Sequence, residues 1–436
     1  MTRSLAALLA GVALCGASGA AWPQNAKPAA PAAAAAVDTG GWSGQSGSSK
    51  LPLMTADAIR ASAADFSKCL ESLWPEAQRR DVARDTFDTH AAKLKPDLQI
   101  MDLLDNQPEF AKPIWDYIGG IVTDDRIAEG RAQLEQHRDV FDAVEKAYGV
   151  DRYVLAAIWG VESNYGKELG DRPVIRSTAT LACVGRRQGY FREEFVSALE
   201  IIQHGDIAPE RFVGNWSGAF GMTRFIPSSF KRFAVDFDGD GKRDLIGSIP
   251  DALASAANYL KQHGWSMGEP WGYEVTLPQG FDYQRVNGPP LTTGEWSKSG
   301  LTGAAGKPLP EAKDKAFLLL PAGAKGPAFL AFTNFASLLT YNDVTPYVLT
   351  VGLLSDRLRG GGALLKAWPT GERALTSAER FELQDRLWRR GLLPAMMPSD
   401  RIDLLTQVGI QKFQISVGQT PDGFATADLL ERLRAR

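Results

Sequence analysis

Asp151 to Gly166 reads D-R-Y-V-L-A-A-I-W-G-V-E-S-N-Y-G, a stretch that carries both the fold and the chemistry of the chain. Leu155, Ile158, Trp159 and Glu162 recur at helical spacings, so they share a face and set a carboxylate among apolar side chains. Burial disfavours the charged form of an acid. A glutamate placed this way keeps its proton towards neutrality and can donate it to a substrate. A glutamate that only caps or salt-bridges a helix end fits the same spacing, and the surrounding segments separate the two readings.

Downstream, Asn215 to Ser229 reads N-W-S-G-A-F-G-M-T-R-F-I-P-S-S. Gly218 and Gly221 would let the backbone approach a ligand there, and Trp216 offers a plate for the C–H face of a sugar. A tight turn with buried aromatics is the plainer alternative. Tyr341 and Asn342 stand just before a helical pattern, where capping alone would account for the asparagine. Helices are expected over Asp151–Ser163, Arg192–His204, Pro227–Ala234, Pro250–Gly264 and Tyr347–Leu358, and Ile127, Leu134, Phe141 and Val144 mark one face of a long amphipathic helix. Between residues 270 and 335, Gly and Pro interrupt β-prone pieces at Tyr273–Leu277, Ala316–Leu320 and Ala328–Phe332, which predicts a small β insertion.

Together these segments resemble the membrane-bound lytic murein transglycosylase B family. The resemblance runs from about Asp57 to Leu365 and includes Q-P-E-F at Gln107–Phe110, W-D-Y at Trp115–Tyr117, G-R-R at Gly185–Arg187 and A-N-Y-L-K-Q-H-G-W at Ala257–Trp265. It implies a mainly α chain whose lysozyme-like catalytic domain, residues 51–365, cuts peptidoglycan glycan strands without water and leaves 1,6-anhydromuramyl ends. A hydrolytic muramidase and an inactive glycan-binding scaffold are the alternatives. By resemblance Glu162 matches the catalytic glutamate and Ser163 its E-S partner. Tyr117, Tyr190, Asn215, Tyr259, Tyr341 and Asn342 match positions lining the glycan groove, and the glycine-rich segment adds Trp216, Gly218 and Met222. Arg224 departs from the glutamine usual at its position: it has donors only, and close to the Glu162 carboxylate it would depress the pKa that acid catalysis needs. No cofactor is implied for the chemistry.

Asp236 to Asp251 reads D-F-D-G-D-G-K-R-D-L-I-G-S-I-P-D, with carboxylates at loop positions one, three and five and Gly241 at six, as in an EF-hand. Position twelve is Gly247, so the loop would close on Asp251 instead. The family is similar here, which implies a structural calcium ion held by Asp236, Asp238, Asp240, Asp251 and the Lys242 carbonyl. A solvated acidic turn is the alternative. The last unit, residues 372–436, resembles a three-helix peptidoglycan-binding domain in L-Q-D-R-L-W-R-R-G-L at Leu383–Leu392, I-Q-K-F-Q at Ile410–Gln414 and D-G-F-A-T-A-D-L-L at Asp422–Leu430. Its middle element is reduced to R-I-D-L-L-T at Arg401–Thr406, and a helical cap on the catalytic domain would read the same way.

The 436 residues suit two or three folding units, and a net charge of -3 supplies no basic stripe for nucleic acid. Residues 1–21 combine Arg3, an apolar run from Leu5 to Cys15 too short to span a bilayer, and small residues at Ser18–Ala21; they read as an export signal. Leu14 precedes Cys15 where lipidation wants a small residue, so a soluble periplasmic protein is expected. Residues 22–50, rich in Ala, Pro, Gly and Ser, read as a disordered tether. Cys69 and Cys183 remain after export; an oxidising compartment permits them to pair, and two separate buried thiols are the alternative. His90, His137, His204 and His263 lack zinc spacing, and no serine sits in a nucleophile elbow. The expected partners are glycan strands and cell-wall assembly proteins, with the chain itself a monomer.

Overall fold

The computed structural model describes residues 41–47, 51–105, 112–312, 314–394 and 401–435. The export signal, most of the tether and the Gln107–Phe110 motif lie outside the described residues. The tether reading fails at residues 41–47. Trp42 is buried beneath the Arg60 guanidinium, 5.5 Å from the ring, and Ser43 donates through its amide (2.8 Å) and hydroxyl (2.6 Å) to Asp102. One large aromatic is enough to dock a segment whose composition is otherwise that of a linker.

Helices α1 (Ala56–Ala64), α2 (Phe66–Ser72), α3 (Trp74–Arg79), α4 (Arg84–His90) and α5 (Gln99–Asp105) open the chain, followed by α6 (Ile114–Ile121). The long amphipathic helix is in fact two helices. α7 (Asp124–Gln136) stops at His137, where ψ is 29°, and α8 (Arg138–Tyr148) resumes with Phe141 and Val144 buried while Leu134 is half-buried. Next come α9 (Arg152–Ser163), α10 (Val174–Cys183), α11 (Gln188–His204), α12 (Pro227–Phe233) and α13 (Ile249–Gln262), with β1 (Arg172–Pro173) antiparallel to β2 (Val213–Gly214). A disulfide between Cys69 and Cys183, 114 residues apart, joins α2 to α10.

The β insertion comprises β3 (Gly272–Thr276), α14 (Thr293–Lys298), β4 (Thr302–Gly303), β5 (Phe317–Leu319) and β6 (Ala328–Ala331). The strands form an antiparallel sheet in the order β4-β3-β6-β5, with Tyr273 opposite Leu330, over a core that includes Val275, Trp296, Leu318 and Leu330. α15 (Thr333–Tyr341) and α16 (Thr345–Arg359) return the chain to the helical body. α9 is its hub, packed by α7, α8, α13 and above all α16. Val154 through Gly160 are all buried, so the middle of α9 is enclosed on every side and not only on the face of Leu155, Ile158 and Trp159.

The last three helices, α17 (Ser377–Arg389), α18 (Leu404–Ser416) and α19 (Ala427–Arg434), close around Leu383, Leu387, Ile410, Phe413 and Leu430. This unit is docked on the insertion: the Ala324 amide donates to Asp422 Oδ2 (2.9 Å), and Gln411 Nε2 donates to the Tyr283 carbonyl (3.1 Å). The reduced motif at Arg401–Thr406 serves as a helix start, where Asp403 accepts from the Thr406 amide at 2.8 Å. Among the described residues no helix is long and apolar enough to cross a membrane.

Candidate active site

Both ends of α9 are fixed. At its start Asp151 Oδ1 accepts from the amides of Tyr153 (2.8 Å) and Val154 (3.3 Å), filling the N-cap role. At its end Asn164, Tyr165 and Gly166 take φ values of 49°, 57° and 83°, a left-handed run that stops the helix one residue after Ser163. The run is held because Tyr165 lies over Gly160, where a Cβ would stand 2.6 Å from the ring, and its hydroxyl donates to the Arg126 carbonyl at 3.0 Å. Glu162 therefore sits half-buried in the last turn of a rigid helix.

The Tyr347 hydroxyl, on a side chain only 2% exposed, donates to Glu162 Oε1 at 2.6 Å. The Tyr341 hydroxyl donates to the Thr223 carbonyl at 2.6 Å. Burial pushes both phenols well above their usual range and the charge of Glu162 adds to the effect, so each stays a donor at neutral pH. Buried Tyr117 on α6 lies near enough to add slightly to the rise at Tyr347. The Tyr259 ring packs edge-on to Tyr341 with centroids 5.0 Å apart and stacks on His263 at 4.0 Å, and its hydroxyl bonds the Thr340 carbonyl. Tyr190 is partly exposed under the Arg187 guanidinium (4.7 Å), and burial of its ring pushes its phenol up to about 12.

Other expected groove residues are placed differently. Ser163 is 1% exposed; its hydroxyl donates to the Met222 carbonyl at 2.7 Å and accepts from the Gly166 amide at 3.0 Å, so it ties α9 to the glycine-rich segment instead of facing a ligand. Gly218 and Gly221 admit protein, not ligand: a Cβ would stand 2.5 Å from Thr178 Cγ2 in one case and 2.7 Å from Leu245 Cβ in the other. Asn215 Oδ1 collects the amides of Ser217 and Ala219, both at 3.0 Å, and so shapes the turn that presents half-buried Trp216. Asn342 ends α15, and Val344 is the residue before α16, so the asparagine does not cap the following helix.

Arg224, itself at φ 49°, donates to the main-chain carbonyls of Glu162 and of Glu168, the latter at 2.8 Å. Carbonyls in the last turn of a helix lack intrahelical partners and carry partial negative charge, so a cation there closes the end of α9. A glutamine could make only part of that contact. Tyr347 was missed from sequence because a tyrosine at the start of an apolar helix reads as core; the polar Asn342-Asp343 pair a few residues before it was the only local hint.

In the acidic loop, carboxylate oxygens of Asp236, Asp238 and Asp251 lie within 4.8 Å of one another. Asp251 is fully buried at the start of α13 and accepts from the amides of Phe237 (2.8 Å), Asp238 (3.3 Å) and Asp244 (2.8 Å); burial raises its pKa. Asp240 is outside this group, and its carboxylate accepts from the amide of exposed Lys242 at 2.8 Å. Three converging carboxylates, one of them buried, fit a hard cation with oxygen ligands.

A family described as transglycosylase SLT domain matches residues 65–356. Membrane-bound lytic murein transglycosylase B of Escherichia coli (strain K12) is 30% identical over 272 residues, covering 59% of this chain and 73% of that protein. The crystal structure of SltB3 from Pseudomonas aeruginosa in complex with NAG-anhNAM-pentapeptide matches with a TM-score of 0.80 and 43% identity, over 85% of this chain and 99% of that one. The Escherichia coli lytic transglycosylase Slt35 in complex with calcium matches with a TM-score of 0.56 and 25% identity, over 68% and 92% of the two chains. Glu162 and its tyrosines fall inside the matched span, in a helical fold with a small antiparallel sheet, and the chain belongs to the lytic murein transglycosylase B family.

Proposed function

We propose that this chain cleaves the β-1,4 bond between N-acetylmuramic acid and N-acetylglucosamine in peptidoglycan without water, using Glu162 as acid and then as base. The observation that carries this reading is the Glu162 carboxyl held at 2.6 Å by a buried tyrosine hydroxyl, at the end of a helix fixed at both ends. Glu162 gives its proton to the glycosidic oxygen as the bond to C1 breaks, and the substrate's own acetamido oxygen closes on C1 to share the positive charge. The carboxylate then takes the proton of the C6 hydroxyl, whose oxygen bonds to C1 and displaces the acetamido group. The product is a 1,6-anhydromuramyl end, and Glu162 is protonated again. Tyr117, Tyr341 and Tyr259, with Trp216 and Tyr190, supply the aromatic walls along which sugar rings stack.

Asp236, Asp238 and Asp251 would hold a structural calcium ion, which supplies charge neutralisation to the loop and takes no part in the chemistry. The substrate lies outside the cytoplasm, which fits the export signal and a periplasmic setting. The C-terminal unit serves to hold the enzyme on the wall. The deciding experiment is mass spectrometry of fragments released from purified sacculi. Anhydro ends, one water lighter than reducing ends, are expected, and Glu162→Gln should lower their release by roughly 100-fold or more. Reducing ends would make the chain a hydrolytic muramidase; undiminished release by Glu162→Gln would remove the glutamate from its role.

A further inference from the structure

A cavity of about 700 Å³ lies between α6, α16, β3 and the segment that follows α16. It is not the Glu162 site. From α6 it is lined by Trp115, Ile118, Gly119 and Val122, spaced three and four residues apart on one face, while the spacing puts Tyr117 on the opposite face. On α16 the wall is Leu353, Asp356, Arg357 and Arg359. Asp356 follows Tyr347 by two and a half turns, roughly 13 Å along the axis, and so projects from the opposite side of the helix.

The walls are set in advance. Trp271 lies flat on α16 at Gly352, where a Cβ would stand 2.4 Å from the indole, and its Nε1 donates to Asp356 Oδ2 at 3.2 Å. Phe329 of β6 backs the same ring at 6.0 Å between centroids. Opposite, the chain turns at Gly360 and runs across the mouth, where Glu274 of β3 accepts from the amides of Leu365 and Lys366, both at 2.8 Å. That clamp brings Trp368 into the wall, so three tryptophans share one space with Asp356. Burial pushes the Asp356 carboxyl up to about 7, which lets it donate as well as accept near neutrality.

The volume falls in the range of small-ligand sites, about 300–1,000 Å³. The charges at its border are already partnered, Arg357 with Asp124, Arg359 with Asp151 and Glu274 with two main-chain amides, so a strongly charged ligand of either sign gains little. A neutral molecule with apolar faces and hydroxyl edges matches all of these features. We propose that the cavity is a second, non-catalytic saccharide site that takes an N-acetylhexosamine ring against Trp368, with buried Trp115 and Trp271 as its apolar floor and Asp356 bonded to a hydroxyl. It rests on the reading of the chain as an enzyme of glycan strands, and would hold a strand or a released fragment while Glu162 acts elsewhere.

Gly119→Leu fills the cavity from α6: nothing lies within 4 Å of a Cβ at that position, and leucine suits a helix better than glycine, so the fold is kept. Equilibrium dialysis of the full chain carrying Glu162→Gln against N,N′-diacetylchitobiose should show one bound molecule per chain fewer when Gly119→Leu is added. Trp368→Ala should weaken that same molecule roughly tenfold. With Glu162 intact, Gly119→Leu should cut sacculi like the parent. The same number of bound molecules in both proteins overturns the proposal. So does a cavity that takes a stem tripeptide of the wall in place of the disaccharide. Sacculus cleavage is measured apart: cleavage without cavity binding sinks the second site alone, and cavity binding without cleavage sinks the catalytic reading alone.

Discussion

At the scale of residues, the hydrogen bond from Tyr347 to Glu162 fixes which way the carboxyl points. Tyr347→Phe keeps the buried ring and removes only the donor, so the fold should hold. A hydrogen bond to a charged partner is worth about 1.5–3 kcal/mol, and kcat on soluble glycan fragments should fall roughly 10- to 100-fold with KM little changed. An unaltered kcat would reduce the tyrosine to a packing residue. Glu162 was legible because its helix carries the signal locally, whereas its partner comes from a helix far along the chain and leaves no local trace. Arg224 shows the same limit. Its charge suggested interference with the acid, but its guanidinium reaches main-chain carbonyls, a choice set by the left-handed backbone at Arg224 that composition does not reveal.

At the scale of elements, the strands at β3, β5 and β6 and the helices α9, α11, α12, α13 and α16 fall within a few residues of where periodicity put them. The break at His137 was invisible because Ile127, Leu134 and Phe141 keep an apolar spacing across it, and spacing does not report a lost backbone bond. Two tests belong here. The Cys69–Cys183 bridge ties α2 to α10, and replacing both cysteines by serine should lower unfolding free energy by about 2–5 kcal/mol in a denaturant titration; an unchanged midpoint would show the bridge to be dispensable. The acidic loop should melt higher with calcium than with chelator, because binding to the native state alone adds stability. Asp238→Asn, which removes one of the three converging carboxylates, should erase that difference. Equal melting temperatures for the wild type in both conditions would leave the loop an ordinary acidic turn.

At the scale of the molecule, the three C-terminal helices were legible from their motifs, but their seat on the insertion was not, since Asp422 and Ala324 meet across 98 residues through surface fit. Truncation after Pro369, which spares the Glu274 clamp, should weaken retention on sacculi and lower the melting temperature while soluble fragments are still cut. Full retention would make the unit a cap and nothing more. The Glu162–Tyr347 contact has a consequence of another kind, because 185 residues separate its two ends. A chain that emerges amino end first presents its acid long before the hydroxyl that aims it. A contact of such span carries a large loop-closure cost and cannot form before both of its ends are present. A polypeptide released early therefore carries the glutamate without its partner, and the capacity to cut the wall arrives only when nearly the whole catalytic domain has been delivered.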